Sequence, residues 1–339
     1  MATSSFRGMY RQLAPLPSVK SFARPLTGRT VLLTGGNVGL GLETAKHLAA
    51  LGPARLIITS RSAARGAAAL KEIEASGKGK CVKVECWEVD CSNFASVKAL
   101  AERFAKDGGG KLDLLVLNAG VACPWRNTPD GWEEMVQVNH LSTALLAIRM
   151  LPFLLAAKPD PPTPRIVIVS SGVHLRVDDV PEFTATNMLR KLNNEKEYGG
   201  EDKKMFHRYG LSKLFNVFFT VSLSERLPSG SPLSVNAVAP GFCHSQLLRN
   251  VNSWGFWLYA QVMARRTEVG SRTLVHAAVG KDLDGKSGQY VESCFVSKPS
   301  ELVRSERGKQ IRDKLWADTI LELTLVDHEV PNIVKKCLS

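Results

Sequence analysis

From residue 28 onward, short apolar runs alternate with stretches of helical apolar spacing. Thr30–Leu33 reads as a strand and Val38–Leu51 as a helix. Arg55–Thr59 is apolar and β-branched, and an alanine-rich helix follows at Ala63–Ala75. Val82–Val89 alternates, and Asn93–Ala105 returns to helical spacing. Leu112–Leu117 and Arg165–Val169 are continuous apolar runs, as expected of parallel strands covered on both faces. A long helix is predicted between them, from Trp132 to Ala157. The alternation predicts an α/β fold with a doubly wound parallel sheet, in one domain over residues 28–339 behind an N-terminal extension of residues 1–27. Right-handed crossovers then place a ligand at the carboxyl ends of the strands.

Two stretches depart from the repeat. Residues 172–208 are polar, rich in Asn, Lys and Glu, and contain Gly199-Gly200, so they read as a long active-site loop with some helix. Residues 242–275 carry Trp254, Phe256, Trp257 and Tyr259 between basic ends. They read as an apolar lid over a substrate, or as aromatics packed into the core or a subunit interface. The helical stripe Ile311, Leu315, Trp316, Ile320 and Leu323 reads as core.

The chain has 339 residues, is 44% hydrophobic and carries a formal charge of +12. No acidic residue precedes Glu43, whereas Arg7, Arg11, Lys20, Arg24 and Arg29 do. Such a balance suits a phosphorylated cofactor, an anionic membrane surface or nucleic acid, or simply a basic soluble protein. The absence of basic–aromatic interleaving and of finger spacing argues against nucleic acid. The seven cysteines are scattered without a CxxC, and Cys81, Cys86 and Cys91 match neither a disulfide framework nor a zinc site. They read as reduced thiols of an intracellular protein, and no metal is expected. The apolar run Leu141–Ala157 contains Arg149 and Pro152 and is short of the roughly 20 residues of a membrane span. The acid-free arm invites a mitochondrial leader, but Pro15, Pro17 and Pro25 interrupt any amphipathic helix. The expectation is a cytoplasmic protein, with contact at a membrane surface through the aromatic strip as a further expectation.

The chemistry begins at Thr34-Gly35-Gly36-Asn37-Val38-Gly39-Leu40-Gly41, directly after the first strand. Glycines at 35, 39 and 41 permit a tight bend and close approach of a pyrophosphate, and the helix beyond supplies free N–H groups. The second strand ends in Thr59-Ser60-Arg61-Ser62, without the acidic residue that would hold a ribose 2′-hydroxyl. Arg61 is suited instead to a 2′-phosphate, a contact of about 1.5–3 kcal/mol that favours NADP(H) over NAD. Asp90, followed by Cys91, closes the third strand, where its carboxylate can accept from the adenine amino group or cap the next helix with Ser92. Asn118-Ala119-Gly120 ends the fourth strand, and its small residues let a cofactor lie against the backbone. Asn118 reads equally as a clamp between strands.

Tyr209 and Lys213 stand four apart, on one helical face. A tyrosine titrates near about 10 in isolation, and an ammonium beside it, with an oxidised nicotinamide, favours the phenolate. Positioned proton transfer of that kind contributes about 10²–10⁴-fold. Val169-Ser170-Ser171-Gly172 offers a hydroxyl to a substrate oxygen. Asn139, a poor helix former in mid-helix, reads as a water-binding proton relay from Lys213 or as an amide satisfied by neighbouring backbone.

In this order the motifs resemble those of the short-chain dehydrogenase/reductase family, over about Gly28 to Leu323 and with its Rossmann fold. The narrower likeness is to retinol-dehydrogenase-like and fungal reductase-like members. The resemblance implies Tyr209 as general acid/base, Lys213 as its pKa modulator and ribose ligand, Ser171 as substrate orienter and Asn139 as relay. It makes Pro240-Gly241 with Ser245 the segment at the nicotinamide carboxamide. It gives Gly35, Asn37, Val38, Gly39, Leu40, Gly41, Arg61, Asp90, Cys91, Asn118, Ala119 and Gly120 as the other cofactor contacts. The 38 positions from Ser171 to Tyr209 exceed the usual spacing of the family, which makes the tyrosine the firmer of the two assignments. In this family the helices at 132–157 and 209–226 commonly pair subunits, so a homodimer is expected.

The expected activity is NADP(H)-dependent interconversion of a ketone or aldehyde and an alcohol on a bulky lipophilic molecule, such as a terpenoid, polyketide or retinoid-like alcohol. Reduction of a conjugated C=C bond is the second enzymatic reading. A nucleotide-sensing scaffold without turnover is the reading from another class.

Overall fold

The computed structural model describes residues 12–77, 83–200, 202–244, 261 and 263–339. Its centre is an eight-stranded sheet in the order β3-β2-β1-β4-β5-β6-β7-β8. The strands are β1 Thr30–Leu33, β2 Arg55–Ser60, β3 Lys83–Glu88, β4 Leu114–Leu117, β5 Arg165–Val169, β6 Ser234–Ala239, β7 Tyr290–Glu292 and β8 Phe295–Ser297. All neighbours pair in parallel except β7 and β8, which form an antiparallel hairpin. The doubly wound parallel sheet expected from the alternation is present. Strand order reverses between β1 and β4, and the crevice that forms at such a switch point is where α/β sheets bind ligands.

The helices are α1 Gly39–Ala50, α2 Ala63–Ser76, α3 Phe94–Asp107, α4 Ser142–Leu155, α5 Asp202–Glu225, α6 Thr267–Val279, α7 Glu306–Val326 and α8 Glu329–Cys337. Period-two alternation along the strands divides the core into two layers. Leu32, Ile57, Leu115, Ile166 and Ile168 face one side, under α3, α4 and α5. Val31, Leu33, Leu56, Ile58, Val116 and Val167 face the other, under α1, α2 and α6. Each such side chain contributes about 1.5–3 kcal/mol on burial.

Among the described residues one helix, Val136–Leu155, is long and apolar enough to cross a membrane, and 78% of its most apolar window is buried inside the fold. It opens with a π-turn over Val136–Leu141 where the periodicity suggests unbroken α-helix. The long segment after β5 is ordered as 3₁₀ turns at Gly172–Arg176 and Pro181–Thr184 and short helices at Met188–Leu192 and Glu195–Tyr198. Buried Phe183, Met188, Leu189 and Leu192 join it to the α4/α5 layer.

Candidate active site

The six parallel strands β1 to β6 deliver the sequence-predicted residues to one end of the sheet. After β1 the chain turns sharply. Gly35 has φ +66°, and a Cβ at Gly41 would lie 2.0 Å from the Gly35 carbonyl oxygen. No side chain larger than hydrogen fits at 41. Gly36, which the motif left unassigned, packs against β2, where a Cβ would lie 2.7 Å from Cβ of Ile58. Asn118 takes the clamp role: its amide donates to the carbonyls of Thr34 (3.0 Å) and Gly35 (3.1 Å). The Thr34 hydroxyl accepts from the backbone N–H groups of Asn118 and Ala119. Asn37, Val38 and Leu40 are half-buried around this turn. α1 starts without a side-chain cap and without an acid in its first turn. Its first N–H groups and dipole are therefore left for an anion, as a bound pyrophosphate requires.

Arg61 follows β2, exposed, and makes no hydrogen bond or ion pair with any described residue. It lies near enough to Cys91 for its charge to act on that thiol, which burial pushes up to about 12. Asp90 accepts from the backbone N–H (2.9 Å) and hydroxyl (2.7 Å) of Ser92. The helix-capping alternative for Asp90 is corrected: α3 is capped by Asn93, whose side-chain oxygen accepts from Ala95 and Ser96 N–H. Asn93 stands next to the helix, whereas Asp90 holds the turn before it through Oδ1.

The two serines after β5 have separate partners. Ser170 is buried and donates to the Lys213 carbonyl at 2.7 Å. The Ser171 side chain accepts from Val173 N–H at 3.4 Å and lies near enough to Tyr209 to act on its phenol. Burial pushes the Tyr209 phenol up to about 12, with the neighbouring Ser171 pulling the other way. Burial lowers Lys213 to about 8, and its ammonium donates to the Val169 carbonyl at 2.9 Å. Its Nζ lies 5.8 Å from the Tyr209 ring centroid. The expected lowering of the phenol by the lysine is thus not a property of the chain alone, in which desolvation is the largest influence on the phenol.

Asn139 sits in the π-turn. Its side-chain oxygen accepts from Val121 N–H (2.8 Å), and its amide donates to the Val121 carbonyl (2.9 Å) and the Ser212 hydroxyl (3.0 Å). The amide is therefore satisfied by neighbouring groups, the second of the two readings of this side chain. A Cβ at Gly120 would lie 3.2 Å from its oxygen and 3.3 Å from Lys213 Nζ, which puts the strand end, amide and ammonium around one point.

Sequence reasoning passed over two features. Ala122, Cys123, Met135 and Met205 form an apolar cluster with Tyr209, and Val121 and Val173 pack onto it. The signal was there: Val121 follows the β4 motif, Val173 follows Ser171, and Met205 precedes Tyr209 by one helical turn. The second feature is a buried ion pair, Arg208–Glu133 at 3.2 Å, both side chains 0% exposed. Arg208 also donates to the carbonyls of Tyr198 and Cys123 (3.4 Å), and Glu133 accepts from Val136 N–H at 2.8 Å. The pair ties the long segment, the end of β4 and the π-turn to the residue preceding Tyr209. Pro240 and Gly241 close β6 beside this group of strand ends. Ser245 and the aromatic strip Trp254, Phe256, Trp257 and Tyr259 lie outside the described residues.

Known proteins resemble this chain in sequence and fold. The family model for short chain dehydrogenase matches residues 29–187. The short chain dehydrogenase/reductase dmxR8 of Cryptosporiopsis sp. (strain 8999) is 34% identical over 302 residues, spanning 88% of this chain and 92% of that protein. Retinol dehydrogenase 12 of Mus musculus is 34% identical over 293 residues, 86% and 85% of the two chains. The Pseudomonas aeruginosa RhlG/NADP active-site complex matches with a TM-score of 0.59 at 23% identity, over 79% of this chain and 95% of its own, a likeness of fold. With identity sustained along nearly the whole chain and the motifs gathered at one end of a doubly wound sheet, the protein belongs to the short-chain dehydrogenase/reductase family of oxidoreductases, in its retinol-dehydrogenase-like and fungal reductase-like branch.

Proposed function

We propose that the chain interconverts a ketone or aldehyde and an alcohol on a bulky lipophilic molecule, using NADP(H). The observation that carries this reading is the placing of Ser171 beside Tyr209 in an apolar wall of Val121, Met135, Val173 and Met205. A polar pair at the end of an apolar surface recognises one oxygen on an otherwise greasy molecule. The name of the mouse relative, a retinol dehydrogenase, is in keeping with such a substrate.

The residues present fit a dinucleotide. The glycine turn and the uncapped start of α1 would hold the pyrophosphate, Asp90 the adenine amino group, and Pro240-Gly241 the carboxamide end. Arg61, exposed and without an acid partner among the described residues, is the group that favours a 2′-phosphate. When bound, the nicotinamide supplies or accepts the hydride. Tyr209 would give a proton to the carbonyl oxygen, or take one from an alcohol, while the Ser171 hydroxyl orients that oxygen and offsets its developing charge. Lys213, held by the Val169 carbonyl, would add positive charge beside the phenol and reach the ribose. Asn139, its side chain engaged by Val121 and Ser212, would hold the π-turn beside Lys213.

Purified full-length chain is to be tested with NADPH and NADH against lipophilic ketones, aldehydes and enones, with products identified. The expected outcome is faster NADPH oxidation and a product reduced at C=O. Reduction at C=C would replace the carbonyl reading. Tight NADPH binding with no turnover on any substrate would favour the scaffold. Tyr209→Phe is expected to lower kcat by about 10²–10⁴-fold with cofactor affinity retained; undiminished turnover overturns the role given to Tyr209.

A further inference from the structure

The arm before β1 reaches the end of β6. Gln12 Nε2 donates to the carbonyls of Phe242 (2.7 Å) and Met263 (2.8 Å), and Gln12 Oε1 accepts from Phe242 N–H (2.9 Å). The side-chain amide thus engages both backbone groups of Phe242, as a neighbouring strand would. Arg265 Nε donates to the Gln12 carbonyl at 3.0 Å. The Arg265 guanidinium, in a residue 8% exposed, also donates to the Pro240 carbonyl (3.3 Å) and the Ser293 hydroxyl (3.2 Å). Around them Cys243 and Arg265 form an isolated parallel bridge, with Arg265 N–H on Phe242 O and His244 N–H on Arg265 O, each at 2.9 Å.

Gly241 lies at the centre of this clasp with φ +82°. A Cβ there would approach Gln12 Oε1 to 2.8 Å and Arg265 Nη1 to 2.9 Å. The glycine suits the left-handed φ, and a Cβ there would push the Gln12 and Arg265 side-chain ends off the segment. The segment also abuts the glycine turn through α6: a Cβ at Gly270 would lie 2.3 Å from Cys243 Sγ and 3.1 Å from Leu40 Cδ2. A shift of residues 241–243 would therefore be felt at the start of α1.

We infer that Gln12 is a positioning residue for cofactor binding: with Arg265 it clasps the Pro240–His244 segment, making the N-terminal arm part of the dinucleotide site. For its binding arm the inference rests on the cofactor reading above. It gives the arm a role inside the folded protein, so processing that removed residue 12 would loosen the site.

The test uses full-length wild type, Gln12→Ala and Gln12→Glu, the last keeping the acceptor and losing both donors. Two quantities are read: the Kd for NADPH by fluorescence, per folded molecule, and hydrogen exchange of the Phe242 amide without cofactor. Expected are Phe242 exchange at least about tenfold faster and Kd about tenfold higher in Gln12→Ala, with the glutamate variant, which sets a carboxylate oxygen against the Phe242 and Met263 carbonyls, affected at least as much. Faster exchange with Kd within about twofold of wild type overturns the inference, as does unchanged exchange. Loss of folded protein in both variants also overturns it, by making Gln12 a support of the whole fold. If wild type itself binds no NADPH, the cofactor reading fails, and Phe242 exchange alone decides whether Gln12 holds the segment.

Discussion

The phenol of Tyr209 and the ammonium of Lys213 are both driven toward neutrality by burial, to about 12 and about 8. For the lysine the sign is definite. Its unfolded value is 10.5, so the unfolded chain binds the proton more tightly, and the charged form costs the fold about 3 kcal/mol below pH 8. That cost fades as pH rises from about 8 to 10.5, a window in which Tyr209 stays protonated in the fold. Lys213→Met is expected to stabilise the protein more at pH 7 than at pH 9.5, read by urea denaturation at both. An equal effect at the two pH values contradicts the assignment. Arg61 concerns affinity instead. Arg61→Asp is expected to raise KM for NADPH by roughly ten- to a hundredfold and to reverse the preference toward NADH. Unaltered NADPH/NADH selectivity would take the 2′-phosphate away from Arg61. These side chains were legible because each follows a strand end or a helical spacing that fixes its direction. The amide of Asn139 was less so: its partners, Val121 and Ser212, come from other elements.

Elements explain why the site holds together. The Arg208–Glu133 pair joins α5 to the turn that opens the helix before α4. Arg208→Met alone leaves a buried carboxylate, with an expected loss of about 3–5 kcal/mol, whereas Arg208→Met with Glu133→Leu is expected to recover most of it. Equilibrium unfolding of the three proteins checks this, and a small loss in the single variant would show the carboxylate reaching water. Helices α4 and α5, expected from the family likeness to pair subunits, carry other elements on their outer sides. Phe219 of α5 stacks on Trp316 of α7 (5.6 Å between ring centroids), and Arg149 of α4 pairs with Asp327 before α8 at 3.5 Å. We therefore expect a 37.0 kDa monomer by light scattering; twice that mass would mean pairing through these covered helices after displacement of α7 and α8, or through another face. Periodicity located the apolar stripe of α7 but not what it covers. It also missed the β7–β8 hairpin, whose three-residue strands are too short for a period. Its turn, Ser293-Cys294, has φ of 53° and 64° at both residues without the glycine or asparagine that announces such a turn.

The whole molecule has an acid weakness built into its core. His140 and His174 are buried and held by desolvation at about 3 and about 4, against 6.5 in the unfolded chain. His140 meets Thr319 of α7 at 2.8 Å, and His174 faces the Ser171 carbonyl at 2.7 Å. Between about pH 6.5 and 4 the unfolded chain takes up protons that the fold refuses, so stability falls as pH drops. The expected slope approaches two protons, about 2.7 kcal/mol per pH unit. Urea midpoints from pH 7 to 4.5 measure it, and a flat profile over that range would show that neither histidine is sequestered.

By itself the sequence determined the layered α/β fold and the candidates for the site groups. Those properties depend on local spacing: alternation sets strand faces, a four-residue interval stacks Tyr209 over Lys213, and a glycine permits a bend wherever it occurs. Tertiary structure alone decided that Ser170 is spent on the Lys213 carbonyl, that burial raises the phenol in the chain alone, and that Gln12 closes on Phe242 from 230 positions away. Contacts of that kind arise from three-dimensional packing, and no periodic pattern along the chain records them.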